Sequence, residues 1–251
     1  MTTEARAISL PPPEPVHIAR SSLLLDFDGT LVFLQDDPYA VVVDPPLADL
    51  LLALTDRFEG RVAIVSGRSL ASLDSVLGPV AKAVALSGSH GCEHRWEGMD
   101  EKPSRPPALD VAAARMDGFA KLHPGVFLET KSFGVGLHYR RVPEHEAAAN
   151  ALAVAIAQET GLAYQTGSMM AEVRVPGTDK GVAVDLLMRH APMAGTIPIF
   201  LGDDVTDEAG LAKTAALGGV PIAVGPRPSE SARYALADPN AVRDWLRGLI
   251  A

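Results

Sequence analysis

Two carboxylates separated by one residue follow the first apolar run of the chain, in LLLDFDGTLV at residues 23–32. If the run is a strand, Asp26 and Asp28 project to the same face, because side chains alternate along a strand. Like charges this close raise each other's pKa unless a cation lies between them. Gly29 and Thr30 then supply a tight turn, backbone N–H groups and a hydroxyl, which suit a phosphate. The stretch predicts a site for a divalent metal and a phosphate; the alternative is an ordinary acidic surface turn.

A second apolar run, VAIVS, ends at Ser66 and is followed by Gly67 and Arg68 where a helix is expected to begin. Ligands of open α/β sheets bind beyond the carboxyl ends of the strands, so this strand end belongs to the same region. A hydroxyl and helix N-terminal amides suit a phosphate oxygen. A helix cap formed by Ser66 or Ser69 explains the pattern equally well.

Two more strand-end segments carry charged groups. Lys180 lies at the predicted start of a helix, where the helix dipole disfavours a cation, so a carboxylate or ligand partner is one explanation and an ordinary surface lysine is the other. The run IPIFLG ends in Asp203 and Asp204, with Asp207 and Glu208 close behind. Helix N-termini attract acids, which explains one or two of these four. The remainder predict ligands of Mg²⁺, a cation that prefers carboxylate oxygens.

Composition narrows the classes of function. The 251 residues include 22 basic and 31 acidic side chains, for a net charge of −9. This balance argues against a nucleic-acid surface or an anionic membrane as partner. The single cysteine, Cys92, excludes an internal disulfide and fits a reducing compartment, and we interpret it as an inert small residue rather than a nucleophile.

The first twenty residues are rich in proline and charge and contain no signal-peptide pattern, so we expect residues 1–20 to form a flexible tail. No apolar run approaches the roughly 20 residues needed to span a bilayer. We therefore expect a cytoplasmic protein, and a monomer.

The remaining chain predicts an α/β fold interrupted by an insert. Short apolar runs alternate with helical patterns in residues 21–106 and again in 176–251, the rhythm of βαβ units and a parallel sheet. Between them, residues 107–175 predict two helices and two pairs of strands. Proline-rich KPSRPP and Pro176-Gly177 flank this insert and mark crossings between a core and an α+β domain.

In their order, these motifs resemble those of the haloacid dehalogenase-like (HAD) phosphatases, and within them the trehalose-6-phosphate phosphatase family. The resemblance covers nearly everything after residue 20. The general pattern is DFDGT, Ser66, Lys180 and GDD; the narrower one is SGR at 66–68, SHG at 89–91, E-x-K at 129–131, HYR at 138–140, Glu172, PGTDKG and GDDVTDE.

The resemblance implies a Rossmann-like core, an α+β cap over the sugar and a Mg²⁺-dependent aspartyl-phosphate mechanism. Asp26 is then the nucleophile and Asp28 the general acid and base. Ser66 and Lys180 hold the phosphoryl oxygens. The implied metal ligands are the Asp26 side chain, the Asp28 backbone carbonyl and Asp203, with Asp204 direct or through water.

The substrate-binding residues implied by the resemblance are Gly29, Thr30, Gly67, Arg68 and His90 on the core, and Glu129, Lys131, Arg140 and Glu172 on the cap. His90 has a plainer alternative, the bonding of a loop carbonyl, and we expect His138 to pack rather than bind. The family usually has Gly-Lys before the last glutamate, whereas Ser168 follows Gly167 here. We expect this loss to raise KM unless Arg174, on the face of Glu172 by strand alternation, replaces the lysine.

Two other functions remain open at this point. One is a HAD-type phosphatase for another sugar phosphate or glycosyl phosphate, because the cap sets substrate choice. The other is a non-enzymatic sugar-phosphate sensor. Intact Asp26 and Asp28 argue against a sensor, which needs neither a nucleophile nor a positioned acid.

Overall fold

The computed structural model describes residues 10–35, 40–101, 103–167 and 169–251. In chain order the strands are β1 (Ser21–Leu25), β2 (Val62–Val65), β3 (Ala85–Gly88), β4 (Glu93–Trp96), β5 (Met99–Glu101), β6 (Phe127–Thr130), β7 (Gly134–His138), β8 (Ala163–Gly167), β9 (Met170–Arg174), β10 (Ile197–Gly202), β11 (Val220–Val224) and β12 (Tyr234–Leu236). The α-helices are α1 (Pro45–Arg57), α2 (Leu70–Leu77), α3 (Ala108–Leu122), α4 (Glu146–Thr160), α5 (Lys180–Arg189), α6 (Glu208–Ala216) and α7 (Pro239–Gly248).

The larger sheet has the strand order β12-β11-β10-β1-β2-β3-β4-β5 and is parallel from β12 to β3. Its central strand β1 is buried along its whole length. Leu23 and Leu25 pack into one hydrophobic cluster and Leu24 into another, because the sheet has packed layers on both faces. Leu25 pairs with Leu201 of β10, so the carboxyl ends of these strands lie at one edge.

The second sheet is antiparallel, in the order β6-β7-β9-β8, and belongs to the inserted segment. Alternation along β7 decides its two faces: Val135 and Leu137 pack with residues of α3 and α4, while Gly136 and His138 project the other way. Register places Glu129, Gly136, Glu172 and Gln165 in one cross-strand row. The face away from the helices therefore carries the polar groups. The predicted α/β architecture with an α+β insert is confirmed.

Residues 10–20 differ from the predicted loose tail. The N–H of Ala235 donates to the carbonyl of Pro11 at 3.0 Å, and Val16 and Ile18 pack against the main hydrophobic cluster. Residues 1–9 lie outside the described part of the chain. No α-helix in the described ranges is long and apolar enough to cross a membrane.

Candidate active site

The nucleophile candidate lies where β1 ends. The backbone N–H of Asp26 donates to the carbonyl of Leu201 at 3.0 Å, which extends the ladder with β10 by one residue. The Asp26 side chain is buried, and its Oδ1 accepts a hydrogen bond of 2.6 Å from Lys180 Nζ. Burial and the charge of Asp207 raise the pKa of Asp26 well above its usual range, while Lys180 opposes this shift. Asp26 therefore needs nearby positive charge to act as a carboxylate.

Lys180 is the first residue of α5, a helix capped by Asp179 Oδ1, which accepts from the N–H of Val182 at 2.8 Å. Its Nζ lies 2.6 Å from Asp26 Oδ1 and 2.6 Å from Asp207 Oδ1. Burial alone would lower the pKa of Lys180, but the two carboxylates outweigh burial and raise it. Carboxylate partners, rather than a surface location, explain a cation at the start of this helix.

Asp207 is a site residue that sequence reasoning did not select. It is fully buried, and its Oδ2 accepts from the backbone N–H groups of Asp203 and Asp204, at 3.1 and 3.0 Å. Gly202 must lack a side chain, because a Cβ there would lie 2.4 Å from Asp207 Cγ. The signal was present as the third acid of GDDVTD, but helix N-terminal acids are common enough to explain it otherwise.

Three carboxylates form a group that fits a divalent cation. One ligand oxygen from each of Asp26, Asp203 and Asp207 lies within 4.8 Å of the others. Burial, together with the charge of Asp207, raises the pKa of Asp203 to about 6. Lys180 alone does not balance three grouped carboxylates, of which Asp26 and Asp203 have raised pKa values, whereas a hard cation that prefers oxygen ligands would. The donor set therefore suits Mg²⁺.

Asp204 and Asp28 are placed differently from this group. The carboxylate of Asp204 accepts from the N–H of Val205 at 2.7 Å and caps the short turn that follows. The carboxylate of Asp28 accepts two hydrogen bonds from Arg68, from Nε at 2.6 Å and Nη2 at 2.7 Å. Asp26 and Asp28 thus each have a separate cation. The resemblance implies that Asp28 binds the metal through its backbone carbonyl, and this stays a prediction. Ligation of the metal by Asp204 also stays a prediction.

Gly29 and Thr30 pack directly on Asp203. Gly29 has a φ of +83°, and a Cβ on it would lie 2.1 Å from Asp203 Oδ2. The buried hydroxyl of Thr30 lies 3.5 Å from Asp203 Oδ1. Position 29 therefore requires glycine for two reasons: its φ is positive, and a side chain there would occupy the space of the Asp203 carboxylate.

Ser66 lies at the end of β2 and is buried, with its Oγ accepting from the backbone N–H of Arg68 at 3.1 Å. The cap of α2 is Ser69, whose Oγ accepts from the N–H of Ser72 at 3.2 Å. Of the two serines that could have capped this helix, Ser66 is the one left facing the cavity beside Asp26 and Lys180.

His90 lies in a loop with two successive non-glycine residues of positive φ, Ser89 at 49° and His90 at 53°. The loop is held by the His90 N–H, which donates to the Ser66 carbonyl at 3.0 Å, and by Ser89 Oγ, which donates to buried Glu93 at 2.6 Å. The ring lies against Gly67, where a Cβ would be 2.6 Å from its Cε1. Burial, then the charges of Lys131 and Lys180, lower the pKa of His90 well below its usual value. The backbone of His90 bonds the loop carbonyl, and its neutral ring lines the cavity.

The cap contributes a row of charged and polar side chains to the same cavity, called the cap row below, which consists of Glu129, Lys131, His138 and Glu172. Lys131 Nζ lies 2.9 Å from Glu172 Oε2 and 3.6 Å from Glu129 Oε2. His138 Nε2 lies 2.8 Å from Glu129 Oε2, so the expectation that His138 only packs is wrong. Although burial raises it, the pKa of Glu129 is lowered overall by His138 and Lys131. Glu172 is buried behind Lys131, which it orients, while Lys131, Glu129 and His138 line the cavity.

The extra cation proposed for the cap is not provided by Arg174. Its Nη1 donates to the carbonyl of Thr178, in the segment that returns to the core. Arg140 does line the cavity from the cap side. Ser168 lies outside the described residues. The cavity has a volume of about 830 Å³ and is lined by both the core and the insert.

The fold, a parallel sheet covered by an inserted sheet-and-helix domain, is also that of a phosphatase of the haloalkanoate (HAD) superfamily from Bacteroides thetaiotaomicron, with a TM-score of 0.60 at 16% identity. The family model described as trehalose-phosphatase matches residues 24–240. The chain belongs to the trehalose-phosphatase family, and it is an enzyme of the phosphoric monoester hydrolase type.

Individual relatives agree with this assignment. The trehalose-6-phosphate phosphatase of Escherichia coli K12 is 36% identical over 236 residues, covering 92% of this chain and 87% of the relative. A probable trehalose-phosphate phosphatase of Sinorhizobium fredii is 34% identical, with 92% and 86% covered. Among solved structures, the C-terminal domain of Candida albicans trehalose-6-phosphate phosphatase has a TM-score of 0.79 at 26% identity, with 92% of each chain covered.

Proposed function

We propose that this chain hydrolyses trehalose 6-phosphate to trehalose and phosphate, with Mg²⁺ as cofactor and a phosphorylated Asp26 as intermediate. The observation that carries the proposal is the buried Asp26 carboxylate, held by Lys180 at the floor of a cavity whose roof is a charged row on the cap. The names of the relatives support the choice of substrate.

The first step forms a bond from an Asp26 oxygen to phosphorus and breaks the bond from phosphorus to the sugar oxygen. Asp28 gives its proton to that leaving oxygen. Lys180 and Ser66 bind the phosphoryl oxygens, and the charge of Lys180 offsets the negative charge that develops there. Because both Asp28 oxygens accept from Arg68, proton donation requires Arg68 to release one of them and that oxygen to carry a proton, which the attacking water of the preceding turnover supplies.

In the second step a water attacks phosphorus, Asp28 takes its proton, and phosphate leaves with the Asp26 carboxylate restored. Asp26, Asp203 and Asp207 would hold Mg²⁺, as their grouping suits. When bound, the ion neutralises charge on the carboxylates and phosphate and so favours attack by an anion on an anion.

For substrate recognition we propose a division into a core of residues 21–106 and 176–251 and a cap of residues 107–175. The carboxylate of Glu129 accepts hydrogen bonds from sugar hydroxyls, and Lys131 and Arg140 donate to the substrate. Gly67, Arg68 and His90 face the cap row across the cavity and complete the walls. The cap excludes water from the phosphoryl group. A monomeric state and a cytoplasmic location stay predictions.

The experiment is phosphate release from trehalose 6-phosphate by the wild type and by Asp26→Asn, each in Mg²⁺ and in excess chelator. Asparagine keeps the shape but removes the attacking charge and a metal ligand, so turnover should fall by at least about 10³-fold. Chelation should abolish wild-type turnover and added Mg²⁺ should restore it. A variant retaining a tenth of the activity contradicts the phosphorylated-Asp26 mechanism, and full activity in chelator contradicts the metal requirement.

A further inference from the structure

Arg227, on the loop that follows β11, reaches across to the loop that follows β10. Its Nε donates to the carbonyl oxygen of Asp203 and its Nη2 to that of Asp204, each at 3.0 Å. The guanidinium is planar and its donors have fixed spacing, so two successive carbonyls held by one group are also fixed relative to each other. Arg227 thus holds the main chain of the acidic loop on its carbonyl side.

The amide side of the same two residues is held by Asp207. Its Oδ2 accepts from the N–H groups of both Asp203 and Asp204, at 3.1 and 3.0 Å. The backbone of Asp203 is therefore held at its carbonyl by Arg227 and at its N–H by Asp207, and its carboxylate is confined against Gly29. Loss of either support would free the main chain that aims this carboxylate at Asp26.

Arg227 is itself anchored. Its Nη2 lies 2.6 Å from Glu208 Oε1, and its Nη1 donates to the carbonyl of Pro228 at 2.8 Å. Burial raises the pKa of Glu208, but hydrogen bonds from Arg227 and Ser229 outweigh it and lower the pKa overall. The described hydrogen bonds of Arg227 go to carbonyl oxygens and to Glu208. Its guanidinium therefore does not neutralise the three grouped carboxylates as a bound metal ion would.

We propose that Arg227 is a positioning residue for the metal centre, one that sets Mg²⁺ affinity by holding Asp203 rather than by touching the ion. The proposal rests on the Mg²⁺ site proposed above. It distinguishes Arg227 from Lys180, which bonds the carboxylates directly. It also differs from a substrate contact, a role that the position of Arg227 at the cavity wall would permit.

The test is calorimetric titration of Mg²⁺ into the substrate-free protein, for the wild type, Arg227→Gln and Arg227→Lys. Residues that orient metal ligands typically change affinity by about 10- to 100-fold when removed, so Arg227→Gln should raise the Mg²⁺ Kd by about tenfold or more. The Mg²⁺ Kd of Arg227→Lys should lie between those of the wild type and Arg227→Gln, because an ammonium group cannot bond both carbonyls with the fixed spacing of a guanidinium. The matched control is Arg189→Gln, on α5, whose side chain is 71% exposed and pairs with Asp185; its Kd should stay within about twofold of the wild type.

Steady-state kinetics separates the roles. At saturating Mg²⁺, the KM for trehalose 6-phosphate should be close to that of the wild type, because the substrate contacts are intact. A Mg²⁺ Kd of Arg227→Gln within about twofold of the wild type overturns the proposal. In that case a raised KM would indicate a substrate contact, and a loss of stability in the metal-free protein would indicate a structural role. If circular dichroism shows Arg227→Gln unfolded, the Kd of Arg227→Lys decides by the same criterion. A wild type that binds no Mg²⁺ contradicts the proposed cofactor itself, which is a separate outcome.

Discussion

At the scale of single residues, the site depends on the balance between grouped carboxylates and the buried ammonium of Lys180. Asp26, Asp203 and Asp207 share one lysine, and burial raises the pKa of the first two. The sequence predicted Asp26, Asp203 and Lys180 because each ends an apolar run or begins a helix. It did not separate Asp204 from Asp207, since both follow the same strand and only the turn of the chain decides which carboxylate faces inward.

The structure makes a prediction about that pair. Asp207→Asn removes a charge that contacts Lys180 and belongs to the metal group, so we expect the Mg²⁺ Kd to rise by about tenfold or more. Asp204→Asn keeps an acceptor that can cap the turn and should change the Kd far less. Metal titration of the two variants side by side decides the matter. A larger effect at Asp204 would favour the ligation by Asp204 that the resemblance implies and would contradict the choice of Asp207.

At the scale of elements, strand alternation and register create the cap surface. The row through Glu129, Gly136 and Glu172 follows from pairing in the second sheet. The two helices predicted within residues 107–175 are present as α3 and α4, because their apolar and alanine patterns are long. Strands β4 and β5 went unpredicted, since three or four residues with charged side chains carry little periodic signal. Whether His138 packs or lines the cavity depends on pairing between strands, which one strand's sequence does not contain.

Lys131 tests the cap row. We expect Lys131→Met to raise the KM for trehalose 6-phosphate by about 10- to 100-fold, the cost of losing a charged hydrogen bond. Hydrolysis of p-nitrophenyl phosphate, which is too small to need the cap, should change by less than about threefold. The control is Lys121→Met on α3, where the side chain is 74% exposed. Equal losses on both substrates would mean that Lys131 supports the fold instead of the sugar.

At the scale of the whole molecule, the two halves of the core bring distant segments to one edge. Asp26 and Lys180 are 154 residues apart in sequence, and the insert between the halves supplies the roof. The order of short motifs predicted this assembly and its family. The sequence could not give the contacts of Arg227 and Asp207, because they arise from how loops fold over the strand ends.

Stability should depend on pH and Mg²⁺ together. Asp203 has a pKa of about 6 in the folded state, above its usual 3.8, so its stabilising proton is fully present at low pH and is lost as pH rises through about 6. Asp44 and Glu129 have lowered pKa values, and their contribution is lost only as pH falls below about 4.5. Between pH 5 and 7.5 the contribution of Asp203 should therefore be lost from the metal-free protein, whereas buried His90, whose pKa is lowered, contributes stability that grows as pH rises toward 6.5.

Mg²⁺ should reverse this loss. At one hundred times its Kd, the ion adds about 2.7 kcal/mol, or roughly 5–10 °C in Tm for a chain of this size. The increase should be larger at pH 7.5 than at pH 5, where protonated Asp203 binds the ion poorly, and Asp203→Asn should flatten the difference. Thermal unfolding in Mg²⁺ and in chelator at both pH values measures it. An increase that is larger at pH 5 would contradict the assignment of Asp203.

The central claim is that this chain is a phosphatase whose cap selects trehalose 6-phosphate, and the measurement that tests it most directly is kcat/KM for trehalose 6-phosphate and glucose 6-phosphate at saturating Mg²⁺. Both substrates present the same phosphoryl group to Asp26, so their ratio reports what the cap adds. We expect trehalose 6-phosphate to be favoured by at least about tenfold, the effect of one hydrogen bond to a charged group. Equal values for the two would contradict selection of trehalose 6-phosphate by the cap and favour the alternative, a phosphatase for another sugar phosphate.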